Sequence, residues 1–168
     1  SYARIQVLAF DDLYAGKLCA ALDRQHPRDL FDVRMLLDNE GITPALKNAF
    51  LVYLLGHNRP IVELLEPVMQ NIVEVFRGEF LGMVAEEVTL EILLNTRMQL
   101  VQTIRSLLTD EDKSFLIAVK LGEADWSSFW FPEAEKFPSV QWKIHNLKQM
   151  TQQTRRAAAG KLEAVLFG

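Results

Sequence analysis

Apolar residues recur every three to four positions from Leu13 to Leu166. That spacing puts them on one face of a 3.6-residue helix, and such a face can be buried only by packing helices together. Leu13, Leu18, Ala21 and Leu22 make the first face, with Asp11 or Asp12 as its cap and as negative charge suited to a helix N-terminus. "HPRD" then ends one helix and starts the next, because Pro27 fits a first helical turn. Leu30, Phe31, Val33, Leu36 and Leu37 follow as a stripe that Gly41 terminates. The same period predicts helices over 44–55, 60–77, 90–108, 111–120 and 140–166, with Pro67 kinking or splitting the second of these. Two glycines in "FRGEFLGM" mark a loop. "LGEADWSSFWFPEAEKFPS" mixes aromatic residues with Gly, Ser and Pro, and reads as an ordered loop packed on the bundle. Only "YARIQVLAF" alternates as a strand does, Ile5, Val7 and Ala9 against Arg4, Gln6 and Leu8. The expected fold is mainly α: a helical bundle with one short N-terminal β-strand over 1–10, a helix pair over 11–38 and further helices over 43–168, in a single helical region.

With 168 residues, 49% of them hydrophobic and 24% charged, the chain can bury a core without metal or disulfide staples. Its one cysteine, Cys19, lies in an apolar helix pattern, which removes a disulfide framework and points to a packed thiol in a reducing cytoplasm. No apolar run approaches the roughly 20 residues that a membrane helix needs, and no secretory leader opens the chain. One strand cannot be a sheet, and the first residue is Ser1 rather than Met, so further sheet-forming sequence is expected upstream. Residues 1–140 carry 13 Lys and Arg against 21 Asp and Glu, whereas residues 141–168 carry 5 against 1. The net charge of −4 argues against a general nucleic-acid binder, but the basic tail can still contact phosphates.

Five charged residues, Lys17, Arg24, Arg28, Asp29 and Asp32, interrupt the apolar pattern where folding does not require them. Lys17 and Arg24 are seven apart, so they project from nearly one helix face, roughly 10 Å apart along the axis. Asp29 and Asp32 are three apart and share a face of the next helix, which the "QHP" turn folds back toward the cations. Two cations spaced for a polyphosphate, with a carboxylate able to take a proton from a hydroxyl, are what phosphoryl or nucleotidyl transfer needs. The same residues would also serve as an exposed ion-pair network tying two helices together, worth about 0–1 kcal/mol per pair. Pattern alone leaves both open.

"LYAGKLCAALDRQHPRDLFDVRMLL" resembles the paired C-terminal motifs of the AbiEii/AbiGii abortive-infection toxin family of nucleotidyltransferases: a Lys with an Arg seven later, then Arg-Asp-x-x-Asp. The likeness continues in "FLVYLLGHNRPIVELLEP", "FLGM" and "PSVQWKIHNL". It implies a DNA polymerase beta-like catalytic lobe followed by helices, of which this chain is the helical C-terminal part. It also implies transfer of a nucleoside monophosphate from a nucleoside triphosphate to an RNA acceptor such as a tRNA end, with Mg2+ as cofactor and a cognate antitoxin as partner. By the same resemblance Lys17 holds the triphosphate with Arg24, Asp32 is the general base, and Arg28 and Asp29 brace the turn. The family also uses an upstream Gly-Ser turn and metal-holding acids. No Gly-Ser occurs here, and the Asp-x-Asp at Asp110-Glu111-Asp112 follows Thr109 as a helix cap would, so the N-terminal metal-binding lobe and its Mg2+ ligands are expected to be missing from this chain.

His26, His57 and His145 have no metal-ligand spacing and read as capping, turn and packing residues. Trp126, Trp130 and Trp142, with Phe129, Phe131 and Phe137, read as a plug joining the last helix to the bundle, since their segment is acidic. In the tail, Lys143, Lys148, Arg155, Arg156 and Lys161 accompany an apolar stripe of Trp142, Leu147, Met150, Ala158, Leu162 and Val165. They form either a solvated face or an RNA contact centred on Lys148, Arg155 and Arg156. The rival to an enzyme is a standalone helical interaction module that keeps the charged motif as scaffold.

Overall fold

The computed structural model describes residues 2–85 and 87–168, with side chains from residue 9 onward. Nine α-helices are found among them: α1 (Tyr2–Arg24), α2 (Pro27–Asp38), α3 (Pro44–Gly56), α4 (Ile61–Leu65), α5 (Val73–Glu79), α6 (Leu90–Leu107), α7 (Asp110–Leu121), α8 (Pro138–Gln149) and α9 (Gln152–Phe167). α1 lies along α3 and also meets α2, α4 and α6; α2 rests on α6, α8 on α3, and α9 on α7. Ala15, Leu18, Cys19 and Leu22 of α1 enter one core with Leu30 and Val33 of α2, Phe50 and Leu54 of α3, and Leu93 and Leu100 of α6. A Cβ at Gly16 would lie 3.4 Å from the Tyr53 ring, so the absence of a side chain there lets α1 and α3 approach closely beside Lys17.

The starts of these helices were encoded locally. Thr43, Thr89, Thr109 and Thr151 each accept a backbone N–H two or three residues into the following helix. At Thr109 the Asp112 carboxylate returns a bond to the Thr109 N–H, completing the capping box expected for Asp110-Glu111-Asp112. Asp112 also receives the Lys47 ammonium at 2.6 Å, which ties α7 to α3. The split expected at Pro67 separates α4 from α5.

Several expectations are corrected. No strand occurs among the described residues: residues 2–10 are the opening turns of α1. A few alternating residues fit either period, and a helix satisfies its own backbone polar groups where a lone strand has no neighbour to do so. Asp11 and Asp12 therefore lie inside α1 instead of capping it, and Leu13 is exposed. The helix expected over 140–166 breaks at Met150-Thr151, where the Thr151 hydroxyl caps α9 and Arg155 donates to Leu147 O and Met150 O. Gly78 lies within α5, and only Gly82 of that glycine pair takes a positive φ. The aromatic segment contains two 3₁₀ turns, Trp126–Ser128 and Pro132–Lys136. Trp126 and Phe129 are buried against Phe115, but Trp130, Phe137 and Trp142 are exposed, so only part of the segment is a plug.

Lys143 leaves the basic tail strip altogether: it is 7% exposed, and its ammonium donates to Leu54 O at 3.2 Å and Arg59 O at 3.1 Å. It thereby occupies a carbonyl in the last turn of α3, where a cation suits the helix dipole. Burial, helped by the nearby Lys120 and opposed by Cys19, pulls its pKa down to about 8. Between about pH 8 and 10.5 the unfolded chain keeps this proton and the folded chain does not, so the lysine makes stability rise with pH in that window. The Cys19 thiol, pushed up to about 12 chiefly by burial, acts in the opposite direction above 9.0. Lys143→Met isolates the lysine. Measured by urea unfolding, wild type should gain on the variant by about 3 kcal/mol between pH 7 and 10.5, and parallel curves would contradict the burial effect.

Candidate active site

Gln25 and His26 alone connect α1 to α2, and their geometry decides how the charged residues meet. Gln25 takes φ +53°, a left-handed conformation that costs an L residue on the order of 1 kcal/mol. Its side chain holds it there. The amide, buried to 1% exposure, donates to Val68 O at 2.8 Å, and its oxygen accepts from Gln70 N at 3.0 Å and from Arg97 Nη1 at 2.8 Å. Arg97, buried in α6, also donates to Gln70 O at 2.8 Å, and burial draws its pKa below the usual arginine range. The next residue, His26, caps α2: Nδ1 accepts the Arg28 N–H, Nε2 meets Glu79 Oε2 at 2.8 Å, and Pro27 opens the helix.

This turn sets α2 against α1 so that the four charges pair in antiparallel order. Arg24 Nη2 donates to both Asp29 oxygens, at 2.9 and 3.1 Å, and Lys17 Nζ donates to Asp32 Oδ2 at 2.7 Å. The pairs differ in exposure. The Asp29 side chain is 15% exposed under an Arg24 that is 64% exposed, whereas Lys17 and Asp32 are open to similar degrees, 33% and 37%. The Asp32 hydrogen bond holds the Lys17 ammonium above the usual lysine range, with burial opposing and the Asp32 charge adding to it. Arg28 is exposed and makes no side-chain hydrogen bond among the described residues. Its charge adds to the His26 hydrogen bond that lowers the pKa of Glu79. Leu13 lies one turn before Lys17 and Met35 one turn after Asp32, both exposed, so apolar groups flank the open pair.

A family model described as nucleotidyl transferase AbiEii toxin, type IV TA system, matches residues 1–146. The chain belongs to the AbiEii nucleotidyltransferase toxin family. Comparison with curated proteins and with solved structures gives no match. The matched span contains both ion pairs and ends within α8, before Lys148, Arg155 and Arg156.

In this AbiEii-family chain no three His, Cys, Asp or Glu side chains among the described residues converge as a group that could hold a metal ion. His57 holds its turn through the Arg59 N–H with Nε2 3.5 Å from Asp23, and His145 is exposed on α8. The tail does not present one basic face. Lys148, Arg156 and Lys161 are exposed, Arg155 is half-buried as the brace of the α8–α9 break, and Lys143 is inside the protein.

Sequence reasoning missed Gln25 and Arg97. They lie 72 residues apart, and neither a polar residue before "HP" nor an arginine in an amphipathic helix announces the contact. Gln25→Ala keeps the positive φ and removes the buried bonds, so urea unfolding should show a loss of roughly 3 kcal/mol. Gln25→Gly should lose about 1 kcal/mol less, because glycine accepts that φ. Equal small losses would mean that Arg97 finds other partners.

Proposed function

We propose that the open Lys17–Asp32 pair is the nucleotide-facing part of an active site that transfers a nucleoside monophosphate from a nucleoside triphosphate to an RNA acceptor, a tRNA end in the reading that the family suggests. The observation that supports this is the contrast between the two pairs. Arg24–Asp29 is anchored by a largely buried carboxylate, while Lys17 and Asp32 neutralise one another where both are open to solvent.

A pair exposed to this degree contributes about 0–1 kcal/mol, so a multiply charged triphosphate can draw Lys17 away from a single carboxylate. Arg24, one face and two turns along α1, reaches the same polyphosphate. Asp32, relieved of Lys17, accepts the proton of the acceptor hydroxyl as its oxygen bonds to the α-phosphorus. The bond from that phosphorus to the bridging oxygen breaks, and pyrophosphate leaves with its negative charge opposed by Lys17 and Arg24. Magnesium is proposed as the cofactor. No cluster of three or more metal-ligating side chains occurs among the described residues, so in this reading the carboxylates that hold it come from another segment, and no step above depends on it. A cognate antitoxin is the proposed partner in the cell.

In the complete enzyme, Lys17→Ala and Asp32→Asn should each reduce nucleotide incorporation into total tRNA by at least a hundredfold, while the urea midpoint reports a stability change within about 1 kcal/mol. Retained incorporation with a loss of roughly 3 kcal/mol or more would instead make the pair a scaffold and favour a helical interaction module.

The tail enters this reading only through Lys148 and Arg156. Changing both to Gln should weaken tRNA binding and flatten its dependence on salt without lowering the melting temperature. An unchanged salt slope would return the tail to a solvated face.

A further inference from the structure

On the other flank of α1 lies an open cavity of about 350 Å³, bounded by α1, α3 and the aromatic segment that follows α7. Tyr53, Trp130 and Phe137 line it, each more than a third exposed. Phe131 bridges the last two, with ring centroids 5.5 Å from Trp130 and 5.7 Å from Phe137. Large rings left open side by side form an exposed apolar patch, the kind of surface at which partners bind.

The polar groups in the cavity are acidic or neutral: Asp11, Asp12 and Asn48. The Asp12 Oδ1 atom accepts the Tyr53 hydroxyl at 2.8 Å, and among the described residues Oδ2 makes no hydrogen bond. Asp11 is 8% exposed and, among the described residues, has neither a hydrogen bond nor an ion pair. Burial pushes its carboxyl above the usual aspartate range. A carboxylate in this partly apolar setting favours its charged form when a cation enters the cavity beside it. The aromatic faces attract the same class of ligand.

We propose that this cavity binds the guanidinium of an arginine side chain presented by a partner polypeptide, paired with Asp11 and Asp12 and stacked on Trp130. A guanidinium suits the site better than an ammonium. Its planar fork of donors suits a carboxylate of the cavity lining, and its flat face stacks on an indole. The cavity is open along one side, which leaves room for the chain that carries the arginine. It belongs to the acidic part of the sequence, where residues 1–140 hold 21 acidic against 13 basic residues, so a basic partner meets it with complementary charge. The inference does not depend on the nucleotidyl-transfer reading.

The test is a titration of the protein with acetyl-Ala-Arg-Ala-amide, followed by the NMR shifts of the Trp130 indole N–H and the amides of Asn48 and Tyr53. The same tripeptide with citrulline in place of arginine is the neutral control, and tetramethylammonium stands for a free organic cation. Saturable shifts confined to the cavity are expected, with affinity at least tenfold lower for the citrulline peptide. Asp11→Asn and Trp130→Ala should each lower it at least tenfold as well. Trp130 is half-exposed, so its variant tests the site without disturbing the packing of α1. Equal binding of the citrulline peptide, or full binding by both variants, would overturn the proposal. Tighter binding of tetramethylammonium than of the arginine peptide would also overturn it, and would make the ligand a free organic cation.

Discussion

The buried contact between Gln25 and Arg97 holds the turn on which the site depends. Two residues must reverse the chain between α1 and α2, and one of them takes a backbone conformation that an L residue avoids. Gln25 stays there because its amide is taken up by the backbone of the segment between α4 and α5 and by a guanidinium from α6. Among the described residues Arg97 has no carboxylate in ion-pair contact, and its Nη1 donates to the Gln25 and Gln70 oxygens. The two side chains share one buried hydrogen-bond network, which ties the turn, α6 and the connection after α4 together.

That turn places one well-anchored ion pair next to one open pair. In the proposed reading, the first keeps the helices in place while the second can exchange its resting partner for a substrate. Arg24–Asp29, with its carboxylate largely covered, keeps the two helices in register beside the turn. Lys17–Asp32, more than a turn farther along, is oriented by the same register but remains about a third exposed, so the surrounding water weakens its hold. Membership of the AbiEii family gives this arrangement its chemical reading, and the exposure of the pair makes that reading compatible with the geometry.

Much of the bundle was readable because helix boundaries are local events. The Thr109 cap, Pro27, Pro44 and the split at Pro67 each act within a few residues of their own position, and the structure follows them. The errors fell where a local signal was weak or shared. Alternation over residues 1–10 was too short to distinguish a strand from a helix turn, and an apolar stripe continued through the break that Thr151 makes at 150–151. Trp130, Phe137 and Trp142 looked like core because their ring type says how much area they can bury but not whether a neighbour covers it.

Sequence by itself determined the helical class and the seven-residue and three-residue spacings that put Lys17 with Arg24 and Asp29 with Asp32 on common faces. It also carried the likeness to the AbiEii family, whose model matches residues 1–146. Only the tertiary structure decided which cation meets which carboxylate and how open each pair is. It also decided that Lys143 caps α3 from inside the protein instead of joining the tail, and that Asp11 faces an aromatic cavity. The reason is physical: spacing along one helix is set by its own backbone, whereas pairing and burial depend on side chains many residues apart in the chain, here Gln25 and Arg97 above all.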